Sequence, residues 1–165
     1  MNTEELATKI VAILTEQRHS LALAESLTGG LLCASLVAVP GASVVLNGAV
    51  VAYNTAIKHQ VLGVDASLLA IHGTVHPDVA AHMATGARDV LGVGEQQATY
   101  GLATTGVAGP EAHEGKDPGT VYVGFAATNF VVARAFAFDG DRAAVRRQAV
   151  HAALECLHEH LIDDN

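Results

Sequence analysis

The chain has 165 residues, the size of one ordinary domain; 50% of them are apolar, only 16% are charged, and the formal net charge is −8. This composition excludes a disordered chain and a coiled coil, because both require a larger share of charged and polar residues. It also disfavours a nucleic-acid-binding protein, because binding to a phosphate backbone requires a cationic surface that this acidic chain lacks.

Helices and strands alternate along the chain. Leu6, Ile10 and Leu14 recur at helical spacing, whereas short apolar and β-branched runs predict buried strands. In chain order we predict a helix at 3–18, a strand at 21–24, a helix at 31–39, one strand or a bent pair at 44–53, short helices at 55–62 and 65–71, a helix at 77–91, a strand at 98–104, hairpin strands at 119–128 and 130–138, and a helix at 141–161. This alternation predicts a single α/β sandwich domain over residues 1–165 with a mixed sheet.

The segment from Ser26 to Ile57 contains no Asp, Glu, Lys, Arg or His. Its length would suffice to cross a bilayer, but Pro40-Gly41 is a turn signal that divides it, so we expect no membrane span. The opening residues MNTEE are acidic and polar, so neither a signal peptide nor a transit peptide is predicted. We therefore expect a cytoplasmic protein.

No spacing typical of a metal site occurs in the sequence. The chain has nine histidines, but none lies in an HExxH or comparable pattern, and His158 and His160 do not share one face of the last helix. Cys33 and Cys156 lie in apolar helical segments without CxxC spacing, which favours buried reduced thiols over a disulfide or a metal site. We predict no metal site.

The segment ESLTGG at 25–30 joins the first predicted strand to a helix. Ser26 would stand at the carboxyl end of that strand, where α/β proteins commonly bind their ligands. Free N–H groups of this turn, at the start of a helix, would attract an oxyanion or a phosphate. The alternative is that Ser26 or Thr28 only caps the helix, and the motif alone leaves both interpretations open.

Lys58 closes the uncharged segment and follows Tyr53 in the run YNTAIK at 53–58. A serine hydroxyl is a weak nucleophile that needs a neighbouring base, and the uncharged segment contains no histidine. A lysine serves as that base when an apolar environment lowers its pKa. Lys58 would fill this role if the fold returns it to Ser26, with Tyr53 relaying a proton or holding the lysine. The alternative is a surface lysine beside a core tyrosine.

A second junction between a strand and a loop lies at 104–110, with the sequence TTGVAGP. Its hydroxyl groups, including that of Thr105, and its glycines, beginning with Gly106, would let a ligand approach the backbone closely. The same residues are equally typical of a plain turn.

The only cluster of cations is Arg142, Arg146 and Arg147 at the start of the last predicted helix. Arginine in such a place suits the bidentate recognition of a phosphate or a carboxylate. The alternative is that these arginines pair with Asp139 and Asp141.

These motifs together resemble those of a known family. They are AESLTGG at 24–30, VVAY at 50–53 with Lys58, HGTV at 72–75, TGVAGP at 105–110, GTVY at 119–122 and GDR at 140–142. In this order they resemble the CinA C-terminal domain family, and the resemblance spans nearly the whole chain. The best-described activity of that family is nicotinamide-nucleotide amidase, which hydrolyses the carboxamide of nicotinamide mononucleotide to nicotinate mononucleotide and ammonia.

The resemblance implies a serine amidohydrolase with a Ser–Lys pair, in which Ser26 is the nucleophile, Lys58 the general base and Tyr53 a supporting hydroxyl. Thr105 and Arg142 match positions that line the family's site, and the Thr28-Gly29-Gly30 turn would supply backbone donors. Gly106 and Arg146, from the motifs above, complete the expected substrate-binding set. The resemblance further implies a three-layer α/β/α sandwich, a small mononucleotide substrate, no metal or organic cofactor, and a homo-oligomer of two or more copies.

The chain also departs from the family's pattern. Residues 111–117, here called the acidic loop, have the sequence EAHEGKD where many relatives are glycine-rich. Many relatives carry an N-terminal pyrophosphatase-like domain before this one, and we interpret the present sequence as the stand-alone form. A second hypothesis is a non-catalytic module that binds a nucleotide or a partner protein.

Overall fold

A five-stranded mixed sheet lies at the centre of the protein. The computed structural model describes residues 1–163. Its strands are β1 (Leu21–Glu25), β2 (Leu46–Val51), β3 (Tyr100–Gly106), β4 (Thr120–Ala127) and β5 (Phe130–Ala137). The strand order is β2-β1-β3-β4-β5, in which β1 is parallel to both of its neighbours and β4 is antiparallel to both of its own. The predicted mixed sheet and its final hairpin are confirmed.

Helices cover both faces of the sheet. They are α1 (Thr3–Gln17), α2 (Leu31–Val37), α3 (Thr55–Gln60), α4 (Ala66–His72), α5 (Pro77–Val90) and α6 (Arg142–Asp163). One core packs α1, α2 and α6 on the sheet through residues such as Leu6, Leu32 and Leu154, and a second core beneath α5 contains Val79 and Met83. These layers form the expected α/β/α sandwich. Residues 164 and 165 of the predicted domain lie outside the described residues.

Strand β2 differs from the range predicted at 44–53. Residues 42–44 form a single 3₁₀ turn, so the strand begins at Leu46. Its pairing with β1 skips Asn47, which is an extra residue in the strand and forms a bulge. The Asn47 side-chain amide donates a hydrogen bond to the Leu91 carbonyl (2.9 Å). The bend expected around Asn47 is therefore a bulge within one strand.

The three parallel strands place their carboxyl ends at one edge of the sheet. β1 lies between β2 and β3, and the chain leaves it at Ser26. The Ser26 N–H donates to the Thr104 carbonyl of β3 (3.1 Å), and the Ala52 N–H, just after β2, donates to the Glu25 carbonyl (2.8 Å). The loops that follow these strands therefore converge at Ser26 and leave a crevice there.

Two glycines on adjacent strands let α5 lie close to the sheet. A Cβ added at Gly101 of β3 would overlap the Ala84 carbonyl, and one added at Gly124 of β4 would overlap the Ala80 carbonyl. Both obstacles are helix backbone, which cannot rotate aside as a flexible side chain would. The short distance between the sheet and α5 therefore requires that these two positions carry no side chain.

We expect Gly124→Ala to lower the free energy of unfolding by about 1–3 kcal/mol, because the added methyl group pushes α5 away from the sheet. Urea unfolding measures this loss. Ala135→Ser, at an exposed position of β5, is the control and should change stability by less than about 0.5 kcal/mol. An unchanged unfolding midpoint for Gly124→Ala would contradict the close approach.

The described residues contain neither a membrane-spanning helix nor a metal cluster. No helix within residues 1–163 is both long and apolar enough to cross a bilayer. In the same range, no group of three or more His, Cys, Asp or Glu side chains is arranged to hold a metal ion. Cys33 and Cys156 are free thiols, and burial raises the pKa of Cys156 to about 11. Because the thiolate is the nucleophile, such a thiol is unreactive near neutral pH.

Candidate active site

Ser26 and Lys58 form a hydrogen-bonded pair in the crevice. Ser26 directly follows β1, and Lys58 lies on α3, which begins where the Asn54 side chain accepts a hydrogen bond from the Ala56 N–H (2.8 Å). The Lys58 Nζ lies 3.0 Å from the Ser26 Oγ and 2.6 Å from the carbonyl oxygen of Ala52. The fold thus joins two side chains that stand at opposite ends of the uncharged segment.

Lys58 is buried, with only 1% of its surface exposed. Burial lowers its pKa from 10.5 to about 8, and the Glu114 carboxylate partly opposes this change because it favours the charged amine. A substantial fraction of the amine is therefore neutral slightly above neutral pH, and a neutral amine can accept the Ser26 proton. The alternative of a surface lysine is wrong.

Glu25 fills the start of α2, where an anion site was predicted. Its buried carboxylate accepts hydrogen bonds from the N–H groups of Gly30 (2.9 Å), Leu32 (3.1 Å) and Cys33 (2.8 Å). A carboxylate in this position also interacts favourably with the helix dipole. Glu25 therefore takes the capping role that one interpretation assigned to the neighbouring hydroxyl groups.

The prediction that Thr28, Gly29 and Gly30 supply free backbone donors needs correction for the two glycines. The Gly30 N–H is already bound by the carboxylate just described, and the Gly29 N–H donates to the Ser26 carbonyl (3.1 Å). The Thr28 hydroxyl is buried and shares a hydrogen bond with the Thr104 hydroxyl (2.8 Å). These three residues shape the turn beneath Ser26, and the Thr28 side chain does not line the cavity beside Ser26, whereas the Thr28 N–H is not occupied by either of these bonds.

Arg146 donates hydrogen bonds to the backbone of the same turn and does not line the cavity beside Ser26. Its Nε donates to the Leu27 carbonyl (2.8 Å) and its Nη2 to the Thr28 carbonyl (3.0 Å), so its predicted contact with substrate is replaced by a contact with the backbone. Because N–H and C=O point in opposite directions across a trans peptide, the Thr28 N–H points away from Arg146. Among residues 26–33, the N–H groups of Leu27 and Thr28 alone donate to no acceptor within the described chain.

A cavity of about 520 Å³ opens beside the Ser26–Lys58 pair, a volume typical of small-molecule sites. The predicted site residues that line it are Ser26, Tyr53, Lys58, Gly106 and Arg142. Thr105 does not line it, because its buried hydroxyl turns away and donates to the Thr74 carbonyl (2.7 Å). Gly106 at the end of β3 and the loop that follows it therefore form one wall of the cavity, and Thr105 supports that wall from behind.

Tyr53 and Arg142 form the rim of the cavity. The Arg142 Nη2 donates to the Tyr53 hydroxyl (3.1 Å), and its Nη1 donates to the Gly109 carbonyl (2.8 Å). Tyr53 is 64% exposed, so the alternative of a core tyrosine is wrong. Within residues 1–163, no ion pair joins Arg142 to Asp139 or Asp141. A guanidinium group has five N–H donors, so this one has donors left for an anionic ligand.

Two acidic residues at the site had no predicted role. Glu25 could have been noticed as the one charge at the end of a fully buried strand. Glu114, in the acidic loop, accepts hydrogen bonds from the N–H (2.6 Å) and the hydroxyl (3.2 Å) of Thr74. The sequence around Glu114 shows only that the loop is acidic. The partners of a loop residue depend on the tertiary structure, so the contact with Thr74 could not be predicted.

The chain is similar in sequence to known proteins. The chain matches the CinA C-terminal domain family over residues 3–161. A CinA-like protein from Frankia casuarinae is 45% identical over 152 residues, which cover 92% of this chain and 34% of the relative. A CinA-like protein from an Anaeromyxobacter species is 46% identical over 155 residues, which cover 93% of this chain and 37% of the relative. The chain therefore spans little more than a third of the length of these curated relatives.

Solved structures share the fold. The crystal structure of a CinA superfamily protein from Klebsiella pneumoniae has a TM-score of 0.92 and 34% identity, with 99% of each chain covered. The crystal structure of a competence/damage inducible protein from Agrobacterium tumefaciens has a TM-score of 0.89 and 32% identity, with 98% of this chain and 96% of that chain covered. The family match over nearly the whole chain and the shared fold agree, and the chain therefore belongs to the CinA C-terminal domain family.

Proposed function

We propose that this protein is a serine amidohydrolase that converts nicotinamide mononucleotide to nicotinate mononucleotide and ammonia. The observation that carries the proposal is the 3.0 Å contact between the Lys58 Nζ and the Ser26 Oγ at the wall of the cavity. Burying a lysine whose hydrogen-bond partners are all uncharged is costly for a fold, and such groups are concentrated at functional sites. The family resemblance suggests the substrate.

In the first half of the reaction, neutral Lys58 accepts the proton of the Ser26 hydroxyl while the Ser26 Oγ attacks the amide carbon. The carbonyl becomes an oxyanion in a tetrahedral intermediate. Protonated Lys58 then gives its proton to the amide nitrogen, the C–N bond breaks, and ammonia leaves. The nicotinoyl group remains bound to Ser26 as an ester.

The N–H groups of Leu27 and Thr28 are our candidates for the donors that stabilise this oxyanion. They follow the nucleophile directly and have no acceptor within the described chain, whereas the Ser26 N–H is bound to the Thr104 carbonyl. Arg146 fixes the orientation of the peptide between them through the Leu27 carbonyl. Fixed donors of this kind stabilise developing charge without reorganising during the reaction.

In the second half of the reaction, water hydrolyses the ester. Lys58 accepts a proton from the attacking water and returns it to the Ser26 Oγ as the ester bond breaks, which releases nicotinate mononucleotide and restores the pair. The proposed steps use neither a metal ion nor an organic cofactor. Tyr53 makes no hydrogen bond to the serine–lysine pair within residues 1–163, so we place it with Arg142 in substrate binding rather than in proton transfer.

The proposal is tested by incubating the purified protein with nicotinamide mononucleotide. Ammonia is measured with a coupled dehydrogenase assay, and nicotinate mononucleotide is measured by chromatography. We expect the two products in equal amounts. The absence of both would overturn the proposal, whereas ammonia released from a different amide, and dependent on Ser26, would keep the mechanism and change the substrate.

Arg142 is expected to bind the substrate phosphate. Arg142→Gln should raise KM for nicotinamide mononucleotide by roughly tenfold to a hundredfold with a smaller effect on kcat, because a charge-assisted hydrogen bond is lost from substrate and transition state alike. Steady-state kinetics measure both constants. Arg147→Gln is the matched control, because Arg147 lies on the same helix, is exposed and does not line the cavity. Equal KM values for both variants would contradict this role.

A further inference from the structure

The acidic loop folds into a tight turn at the cavity. The His113 N–H donates to the Lys116 carbonyl (3.0 Å), and the Lys116 N–H donates to the His113 carbonyl (2.9 Å). Glu114 and Gly115 at the tip both have positive φ angles, of 50° and 74°. Non-glycine residues adopt this conformation rarely, and mostly where the surrounding structure imposes it. The turn therefore presents the Glu114 side chain in a defined direction.

The Glu114 carboxylate fastens this turn to the loop between α4 and α5. One of its oxygens accepts the N–H and the hydroxyl of Thr74, at 2.6 and 3.2 Å, and the other lies 3.4 Å from the His113 Nε2. A Cβ at position 73 would overlap this carboxylate, so Gly73 leaves the space that it occupies. Glu114 therefore lies against Gly73 and Thr74, with 31% of its side chain exposed to solvent.

Both parts that Glu114 joins are walls of the cavity that contains Lys58. Thr74 lines it from one side, and Glu111, Ala112 and His113 line it from the acidic loop. The negative charge of Glu114 also acts on Lys58, where it raises the pKa that burial lowers. The same carboxylate thus holds the wall in place and influences the amine.

We propose that Glu114 is a positioning residue for the Ser26–Lys58 pair, because its carboxylate joins the acidic loop to Thr74 and so carries a negative charge in the wall of the cavity that contains the Lys58 amine. This inference rests on the proposed amidase mechanism. A general base is most effective when its pKa lies near the working pH, and Lys58 must also return its proton to the leaving group. Burial weakens Lys58 as a base by lowering its pKa, and the negative charge of Glu114 limits this decrease.

Other titratable or charged groups also surround Lys58 and contribute to its electrostatic environment. The remaining titratable or charged residues that line the cavity are Tyr53 in the segment between β2 and α3, Glu111 and His113 in the acidic loop, and Arg142 at the start of α6. On α3 itself, the His59 Nδ1 contacts the Val64 carbonyl (2.7 Å) and is thereby committed elsewhere. Ser26 is the uncharged partner from the turn after β1.

The central experiment compares Glu114→Gln with the native protein. Glutamine keeps the shape and can still accept the Thr74 hydrogen bonds, but it removes the charge. Because the carboxylate favours protonated Lys58, its removal should move the acid limb of the profile of kcat/KM against pH to lower pH. Glu111→Gln is the matched control, since it removes a charge from the same loop at the cavity; its shift should be smaller, because Glu114 is the carboxylate whose charge acts on Lys58.

A second readout does not require activity. The chain has only three lysines, Lys9, Lys58 and Lys116, so lysine labelled with ¹³C at Cε allows each amine to be titrated by NMR. We expect the Lys58 titration to move to lower pH in Glu114→Gln while those of Lys9 and Lys116 stay closer to their native positions. Titration curves for Lys58 that coincide in both proteins would overturn the inference, even if the substrate of the enzyme proves to be another amide.

Glu114→Asp separates the charge from the reach of the side chain. It keeps the carboxylate but shortens the side chain by one methylene, so the hydrogen bonds to Thr74 should weaken while the charge remains. We expect KM to rise and the acid limb to stay close to its native position. An acid limb that moves as far in Glu114→Asp as in Glu114→Gln would show that only the anchoring matters and would overturn the electrostatic part of the proposal.

Discussion

Replacing Ser26 by alanine is expected to reduce kcat for ammonia release by a factor on the order of 10⁴ or more, because the hydroxyl is the proposed nucleophile. The Ser26 side chain bonds Lys58, and the N–H that joins the turn to β3 belongs to the backbone and is retained. The variant should therefore fold as the native protein does and still bind the mononucleotide. Single-turnover assays with purified protein measure the rate.

The control for this variant is Ser35→Ala, which removes a half-buried hydroxyl that donates to the Leu31 carbonyl on α2, does not line the cavity and should leave kcat unchanged. The same pair of variants tests the hypothesis of a non-catalytic module. Such a module would be stabilised thermally by the mononucleotide and would form no product in any variant. Product formation that survives in Ser26→Ala would instead show that the reaction uses another nucleophile.

Replacing Lys58 by methionine is expected to lower kcat by roughly 10³- to 10⁴-fold or more, because the serine then has no base to accept its proton. Methionine is of similar length and apolar, so it fits the buried position. Lys58→Arg should be equally inactive, because arginine remains protonated and cannot act as a base. Lys116→Met is the matched control, because Lys116 lies outside the lining of the cavity and should be dispensable for chemistry.

The pKa of Lys58, lowered by burial to about 8, gives the pH dependence of the native enzyme. The neutral amine is the active form, so kcat/KM should rise with pH and level off above about 8. A rate independent of pH between 6 and 9 would contradict a lysine base, in the same way that an active Lys58→Arg variant would.

Lys58 should also make the stability of the native protein depend on pH. Its folded pKa of about 8 lies below the ordinary 10.5, so between these values the unfolded state binds more protons than the folded state. Stability should therefore rise with pH through this window, and the destabilisation by Lys58 should be fully present below pH 8. Urea unfolding of Lys58→Met should lack this rise, which provides a check that needs no substrate.

The secondary structure was predictable because its signals are local. Apolar spacing marks α1, Asp65 caps α4 through bonds to the following N–H groups, and Pro77 begins α5, each within a few neighbouring residues. The bulge at Asn47 was not predictable in this way, because an extra residue in β2 is defined only by its pairing with β1. Local sequence therefore located the elements, and strand pairing determined their register.

The same distinction between local sequence signals and tertiary contacts applies to the site residues. Ser26 and Lys58 were found because a hydroxyl at the end of a strand and a lysine at the end of an uncharged segment are chemically unusual where they stand. Their 3.0 Å contact could not be predicted from spacing, because it depends on β2 returning beside β1 and on α3 turning back over the crevice. Motif membership also failed to separate Arg142, which lines the cavity, from Arg146, which bonds the backbone.

The sequence by itself determined the α/β class, the order of the elements, the net negative charge and the candidate serine and lysine, because composition and periodicity can be read from the chain without its tertiary structure. Only the tertiary structure decided which polar groups face the cavity and which are already bonded. Glu25 takes the helix start that was expected to bind an anion, and Glu114 reaches Thr74 across 40 positions of sequence. Burial and hydrogen-bond partners are properties of the packed chain, and they decide which charges remain available for chemistry.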